Sequence, residues 1–199
     1  MRKHIAVILA GLTLASAGSA YAQLGNGGGT YADVEHGEIS AGQFIEHFVS
    51  NAKQVLAAES GLLSTFELET DAATARSASQ QLDAPLTRSV LEDVLQRQAD
   101  AAKALQSRLG AGQPLQGDAR ARFPQEVRDL ARSLTASSAL AADLNANRKK
   151  LSAARGAEAT QAVYLSKALP DHVRNIHQAV EAAVAYGRAQ NIPVSTDMD

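Results

Sequence analysis

The stretch Ile39–Phe66, "ISAGQFIEHFVSNAKQVLAAESGLLSTF", carries a complete helix-start signal followed by a sustained helical pattern. Ser40 is an N-cap residue, and Gln43 stands three positions on, the spacing of a capping box. Ile39 before the cap and Phe44 in the first turn supply the hydrophobic staple. Ile45, Phe48, Ala52, Val55, Leu62 and Phe66 then recur at three- and four-residue steps, one stripe along a helix face. A single polar residue, Glu59, interrupts that stripe. A lone glutamate is rarely buried, so Glu59 belongs at the stripe's edge or else needs a partner inside. Arg148, in a polar slot of a later helix, is the partner the pattern offers, and such an ion pair would set register more than it adds stability.

Towards the C-terminus the same period returns. Residues 69–83 lose their large apolar side chains and read as a frayed helical extension or a connection. A second helix is expected from an Asp83 cap with Pro85 in its first turn, followed by Leu91, Val94, Ala101, Leu105 and Leu109, with Gly110 as its stop. The loop "GAGQPLQGDARARFP" leads to Pro124, which is expected to open a third helix. That helix carries Val127, Leu130, Leu134, Ala141, Leu144 and Leu151 at heptad spacing, with Ser137 and Arg148 in the polar slots. Gly156 bends or ends it. A short helical piece with Val163, Tyr164 and Leu165 then runs to Pro170. A last helix is expected from an Asp171 N-cap to Gln190, with Val173, Ile176, Val180, Val184 and Gly187 as its core stripe. Nothing shows strand alternation. The fold class is therefore all-α, an antiparallel helical bundle of about four long helices over residues 39–191, with a polar tail at 192–199. The stripes are narrow and alanine-rich, which implies close helix packing or completion by a second copy or partner. Short connections favour closure within the chain.

Before the bundle, Arg2, Lys3 and His4 precede the apolar run Ile5–Ala17, and Ala20 and Ala22 stand at A-x-A spacing. This is the three-part pattern of a signal peptide over residues 1–22, and it predicts export to the periplasm or the medium. The apolar run is shorter than the ~20 residues a membrane span needs, so no integral membrane segment is expected after cleavage. Residues 23–38, with Gly27–Gly29, read as a flexible leader. Cleavage would remove two of the 19 basic residues and no acidic one, leaving 17 against 21 and a net charge of −4. An acidic chain with one short basic cluster, Arg148–Lys150, argues against nucleic acid as a partner. There is no cysteine and no tryptophan. Thiolate metal sites, covalently attached c-type haem and cysteine nucleophiles are excluded, and no cofactor is expected.

What remains are the histidines. In "LPDHVRNIHQAVEAAVAYG" (169–187), His172 and His177 are five residues apart, about 140° around a helix, whereas two ligands from one helix want i and i+4. Both are placed on the shoulders of the apolar stripe. No glutamate precedes a histidine by three, so the Glu-x-x-His pairs of di-iron bundles are missing. His177 and His47 are the weak candidates for holding a ligand. No serine sits in a nucleophile elbow, and the chain is not expected to be an enzyme. The sequence thus points to a non-enzymatic envelope protein that works through helix–helix contact, as an adaptor, chaperone-like or assembly component with a protein partner or a second copy. The alternative is a bundle holding a small ligand, a metal or haem between its helices. No stretch matches a family pattern that would carry residues across.

Overall fold

The computed structural model describes residues 39–153 and 155–195; the expected signal peptide and leader lie outside them. The described residues are all-helical, in five helices: α1 (Ala41–Thr65), α2 (Glu69–Gln81), α3 (Arg88–Gly110), α4 (Gly117–Ala153) and α5 (Ala157–Ala189). α1 is central, packing against all four others, while α3 pairs with α5 and α4 with α5. The capping box on Ser40 forms in full, with the side chains of Ser40 and Gln43 each bonded to the other's backbone N–H.

The additional helix is α2, over residues whose sequence left helix and connection both open. Its buried face is Ala72, Ala75 and Ala78, at three-residue steps. Methyl groups alone let its backbone approach α1 closely, and the Ser60 hydroxyl donates to the Ala72 carbonyl across that seam. A face of this kind has no bulky residue for a hydrophobic pattern to register.

Prolines misplace three boundaries. α3 starts not at Asp83 but after Thr87, whose hydroxyl accepts from the Val90 amide; Asp83 pairs instead with Lys53 on α1. α4 starts at Gly117 rather than Pro124, which lies well inside it. Burial of Phe123 and bonds from the Arg120 guanidinium to the carbonyls of Gln190 and Asn191 fix this first part of α4, offsetting the bond Pro124 cannot make. The expected short piece and last helix are one helix, α5, running through Pro170. Leu165 and Leu169 are buried before the proline and Ile176 after it, so tertiary packing holds both halves in line. Asp171 is consequently not an N-cap; it lies within α5 and pairs with Arg174 at 2.8 Å.

The inward face of α5 is rotated from its expected position. His172, Ile176, Ala179 and Ala183 form its centre, whereas Val173 and Val184 are only partly buried. On α4 the buried slots are Leu140 and Asn147 rather than Ala141 and Arg148, one residue earlier in each case. Asn147 Oδ1 accepts from the Ile39 amide at the start of the bundle. Deeper in the same seam, the Asn51 amide donates to Ser137 at 2.6 Å. At the other end, Phe66, Phe123 and Tyr186 pack edge to face, and the Tyr186 hydroxyl both donates to the Gln113 carbonyl and accepts from the Leu115 amide. Ile192, expected in the polar tail, is buried there.

α1 and α5 both end in Schellman turns. After α5, Asn191 takes φ 53° and the Ile192 amide reaches back to the Gly187 carbonyl at 2.8 Å. Val194 folds over Gly187, where an added Cβ would stand 2.6 Å from a Val194 methyl carbon. After α1 the left-handed position is Glu67, at φ 60°, with the Leu68 amide bonded to the Leu63 carbonyl. A glutamate there carries Cβ strain that glycine lacks. Glu67→Gly is therefore expected to stabilise the fold by about 0.5–1 kcal/mol in urea unfolding, the relief of strain exceeding the added freedom of the unfolded chain.

Candidate functional site

Three helices each bring one polar side chain to a single buried point. On α1, Glu59 occupies a core slot between Val55 and Leu62, all three fully buried. On α3, Gln98 fills the slot between Val94 and Ala101 and is 1% exposed. On α5, His172 is 2% exposed, its ring 5.7 Å from that of Phe48. Gln98 Nε2 donates to Glu59 Oε1 at 2.6 Å, and Gln98 Oε1 lies 3.2 Å from His172 Nδ1. A primary amide is the side chain suited to the middle position, because it donates at one end and accepts at the other. This polarity puts the imidazole proton on Nδ1. Glu59 Oε2 and His172 Nε2 are buried and make no hydrogen bond among the described residues.

The electrostatics follow from burial without counter-charge. Burial raises the Glu59 carboxyl from an ordinary 4.5 to about 8, against a smaller lowering by its bond from Gln98. Burial lowers the His172 imidazole from 6.5 to about 4. At neutral pH the chain is therefore carboxylic acid, amide and neutral imidazole, with no charge in the core. A neutral carboxyl with one unbonded oxygen costs far less to bury than an unpaired carboxylate. Both ionisable groups are buried, Glu59 completely and His172 at 2% exposure.

The residues singled out by sequence are placed otherwise than expected. Glu59 is at the centre rather than the stripe's edge, and its partner is Gln98 rather than Arg148. Arg148 is exposed and bonds Asn145 on its own helix. His172, read as a shoulder residue, is the buried histidine. His177 is exposed, 3.5 Å from Glu181. His47 is half-buried on α1; burial lowers its pKa and the neighbouring Glu46 opposes this. His47 and His177 are not assembled with further ligands: no group of three or more His, Cys, Asp or Glu suited to a metal occurs among the described residues. Gln98 was missed, although Leu91, Val94, Ala101 and Leu105 leave its slot open by period. Reading Pro170 as a helix boundary hides His172, although Leu165, Leu169, His172 and Ile176 keep four- and three-residue steps straight across it.

Two grooves matter at the surface. One of about 380 Å³ lies between α3 and α5, with Gln98 and His172 in its floor and Tyr164, Asp171 and Arg174 along its rim. The other, about 460 Å³, lies between α4 and α5. Its floor is Leu134, Val180 and Val184, and its rim is Thr135, the His177–Glu181 pair and Arg188.

Removing the middle of the chain strands both ends, so Gln98→Leu is expected to cost about 2–4 kcal/mol, read by urea unfolding. Replacing all three groups together (Glu59→Leu, Gln98→Leu, His172→Phe) is expected to recover most of that loss, since no polar group is left unpaired. The pH dependence has a definite sign. Between pH 4.5 and 6.5 the pair holds one proton in either state, on Glu59 when folded and on His172 when unfolded, so its contribution is level. Above pH 6.5 the unfolded chain loses that proton while folded Glu59 keeps its own to about 8, so stability falls as pH rises. The fall amounts to about 1–2 kcal/mol between pH 6.5 and 8.5, and Glu59→Gln is expected to abolish it; an equal fall in both proteins would mean that Glu59 is ionised in the fold. Comparison of the chain with protein-family models, with curated proteins and with solved structures finds no match in any of the three.

Proposed function

We propose that this is a non-enzymatic, exported helical-bundle protein that acts through a helical surface, as an adaptor or assembly component of the bacterial envelope. Export rests on the signal-peptide pattern of residues 1–22 and implies the periplasm or the medium. The bundle is read as antiparallel, because most of its connections are too short to return a helix to its starting end.

The observation that carries the reading is the groove between α4 and α5. Leu134, Val180 and Val184 give it an apolar floor, and Thr135, His177, Glu181 and Arg188 give it a polar rim. That combination suits an amphipathic helix laid between two others, with apolar anchors inward and charges at the edge. His177 is thereby an element of recognition rather than a ligand to a metal. The groove also narrows the choice among surface roles. Val163 is the only large hydrophobic residue that is exposed among the described residues, and a holder of unfolded clients would want a broader apolar patch. A ligand-binding bundle finds less support, because Glu59, Gln98 and His172 are linked to one another and neither His47 nor His177 is grouped with further metal-binding side chains among the described residues.

The test is a photo-crosslinking residue placed at Val184, with Gln96 on α3 as the control position, in protein expressed in its native envelope. A discrete adduct at Val184, absent at Gln96 and lost when Leu134→Lys is added, is the expected result. Its mass distinguishes a partner from a second copy. Equal labelling at both positions, or none at Val184, would remove the groove from consideration.

A further inference from the structure

We propose that the seam between α3 and α5 is a proton-operated latch: protonation of His172 is accommodated by these two helices parting at the groove above it, while the packing of α1 with α4 stays closed. The inference goes beyond the surface role above and does not depend on it.

The geometry supplies the direction of opening. The α3–α5 groove has His172 and Gln98 in its floor but not Glu59, which lies on the far side of Gln98. The imidazole thus forms part of the groove floor while remaining buried. On its other side His172 meets Phe48, which is fully buried. The α1–α4 seam has its own ties in Asn51–Ser137 and Ile39–Asn147. The polar ties between the α3 and α5 regions sit mostly at the two ends. Arg88 lies over the Tyr164 ring and Gln161 donates to the Leu86 carbonyl at one end, while Tyr186 and Gln190 bond the Gln113 and Gly112 carbonyls at the other. In the middle the tie is Gln98–His172 itself.

The charges around the chain favour the acid direction. At the groove rim stand Glu92 of α3, which pairs with Arg88, and Asp171 of α5, which pairs with Arg174. Tyr164 is also at the rim, its own proton held more tightly by burial. From α2, Arg76 reaches Ser60 and Ser64; from α4, Glu126 lies against Gly61 and Asp143 is buried. On α1, Glu46 and His47 adjoin Phe48. None of these charges contributes to the proton affinity of the pair: burial and Gln98 account for Glu59, and burial alone for His172. An imidazolium exposed in the groove would meet the carboxylates of Glu92 and Asp171, whereas Glu59 lies outside the groove and does not reach its rim charges.

Local parting and global unfolding respond to pH differently, which makes the latch testable. Global unfolding wets both Glu59 and His172, and their effects cancel between pH 6.5 and 4.5. Parting at the groove wets His172 alone, so its population rises about 40-fold over that interval. The experiment is site-resolved hydrogen exchange on the intact protein at pH 6.5 and 4.5, corrected for the intrinsic pH dependence of exchange. Amides of α3 near Gln98 and of α5 near His172 are expected to open some 40-fold more often at the lower pH, with those of the α1–α4 seam unchanged. His172→Gln, which keeps an amide hydrogen-bond partner for Gln98 and does not titrate, is expected to remove the effect. If the groove amides show no increase, or the α1–α4 amides rise with them, the latch is overturned on the unaltered protein, whether or not the variant folds.

Discussion

The amide of Gln98 is the interaction on which the centre of this bundle depends. It joins a carboxyl on α1 to an imidazole on α5 with one hydrogen bond at each end, and all three side chains are buried. Neither terminal group could be buried well alone. A carboxylate would need a cation and an imidazolium an anion; burial keeps both neutral, and the amide gives each neutral group a hydrogen-bond partner. The chain therefore fixes more than stability. Only one rotational setting of α1, α3 and α5 brings the three slots together, so it also specifies how these helices register against one another.

The remaining helices solve the same problem with less polar material. α2 reaches α1 through alanines, and α4 reaches α1 through an asparagine–serine bond and a backbone amide held by Asn147. The bonds Asn51–Ser137 and Ile39–Asn147 join groups that do not titrate, whereas the α3–α5 bond ends on the His172 imidazole. Fold and proton affinity are thereby linked at one place: the side chains that set helix register are the ones whose ionisation the fold resists.

The surface shows a corresponding division. Charged residues on α3 pair within their own helix, as Arg88 with Glu92 and Arg97 with Asp93. Exposed pairs of this kind add little to stability, but they keep those faces well solvated. The α4–α5 groove departs from that pattern, since it leaves Leu134 and Val184 only partly covered between polar rims.

The sequence by itself determined the all-helical class, the start of α1 down to its capping box, and the slot in which Glu59 interrupts an apolar stripe. Those features are local or periodic, and side chains three or four positions apart report them directly. Tertiary structure alone decided the rest. It extended α4 and α5 through prolines, because Phe123, Arg120, Leu169 and His172 find partners on other helices that a local rule cannot see. It made α2 a helix, because an alanine face acquires its value only against a neighbour's backbone. And it gave Glu59 a glutamine rather than an arginine, because the slot between Leu144 and Leu151 is filled by Asn147, which leaves Arg148 in solvent, while Gln98 turns inward from α3. Neighbouring residues stand about 100° apart around a helix, and which of them enters the core is fixed by all the helices packing at once.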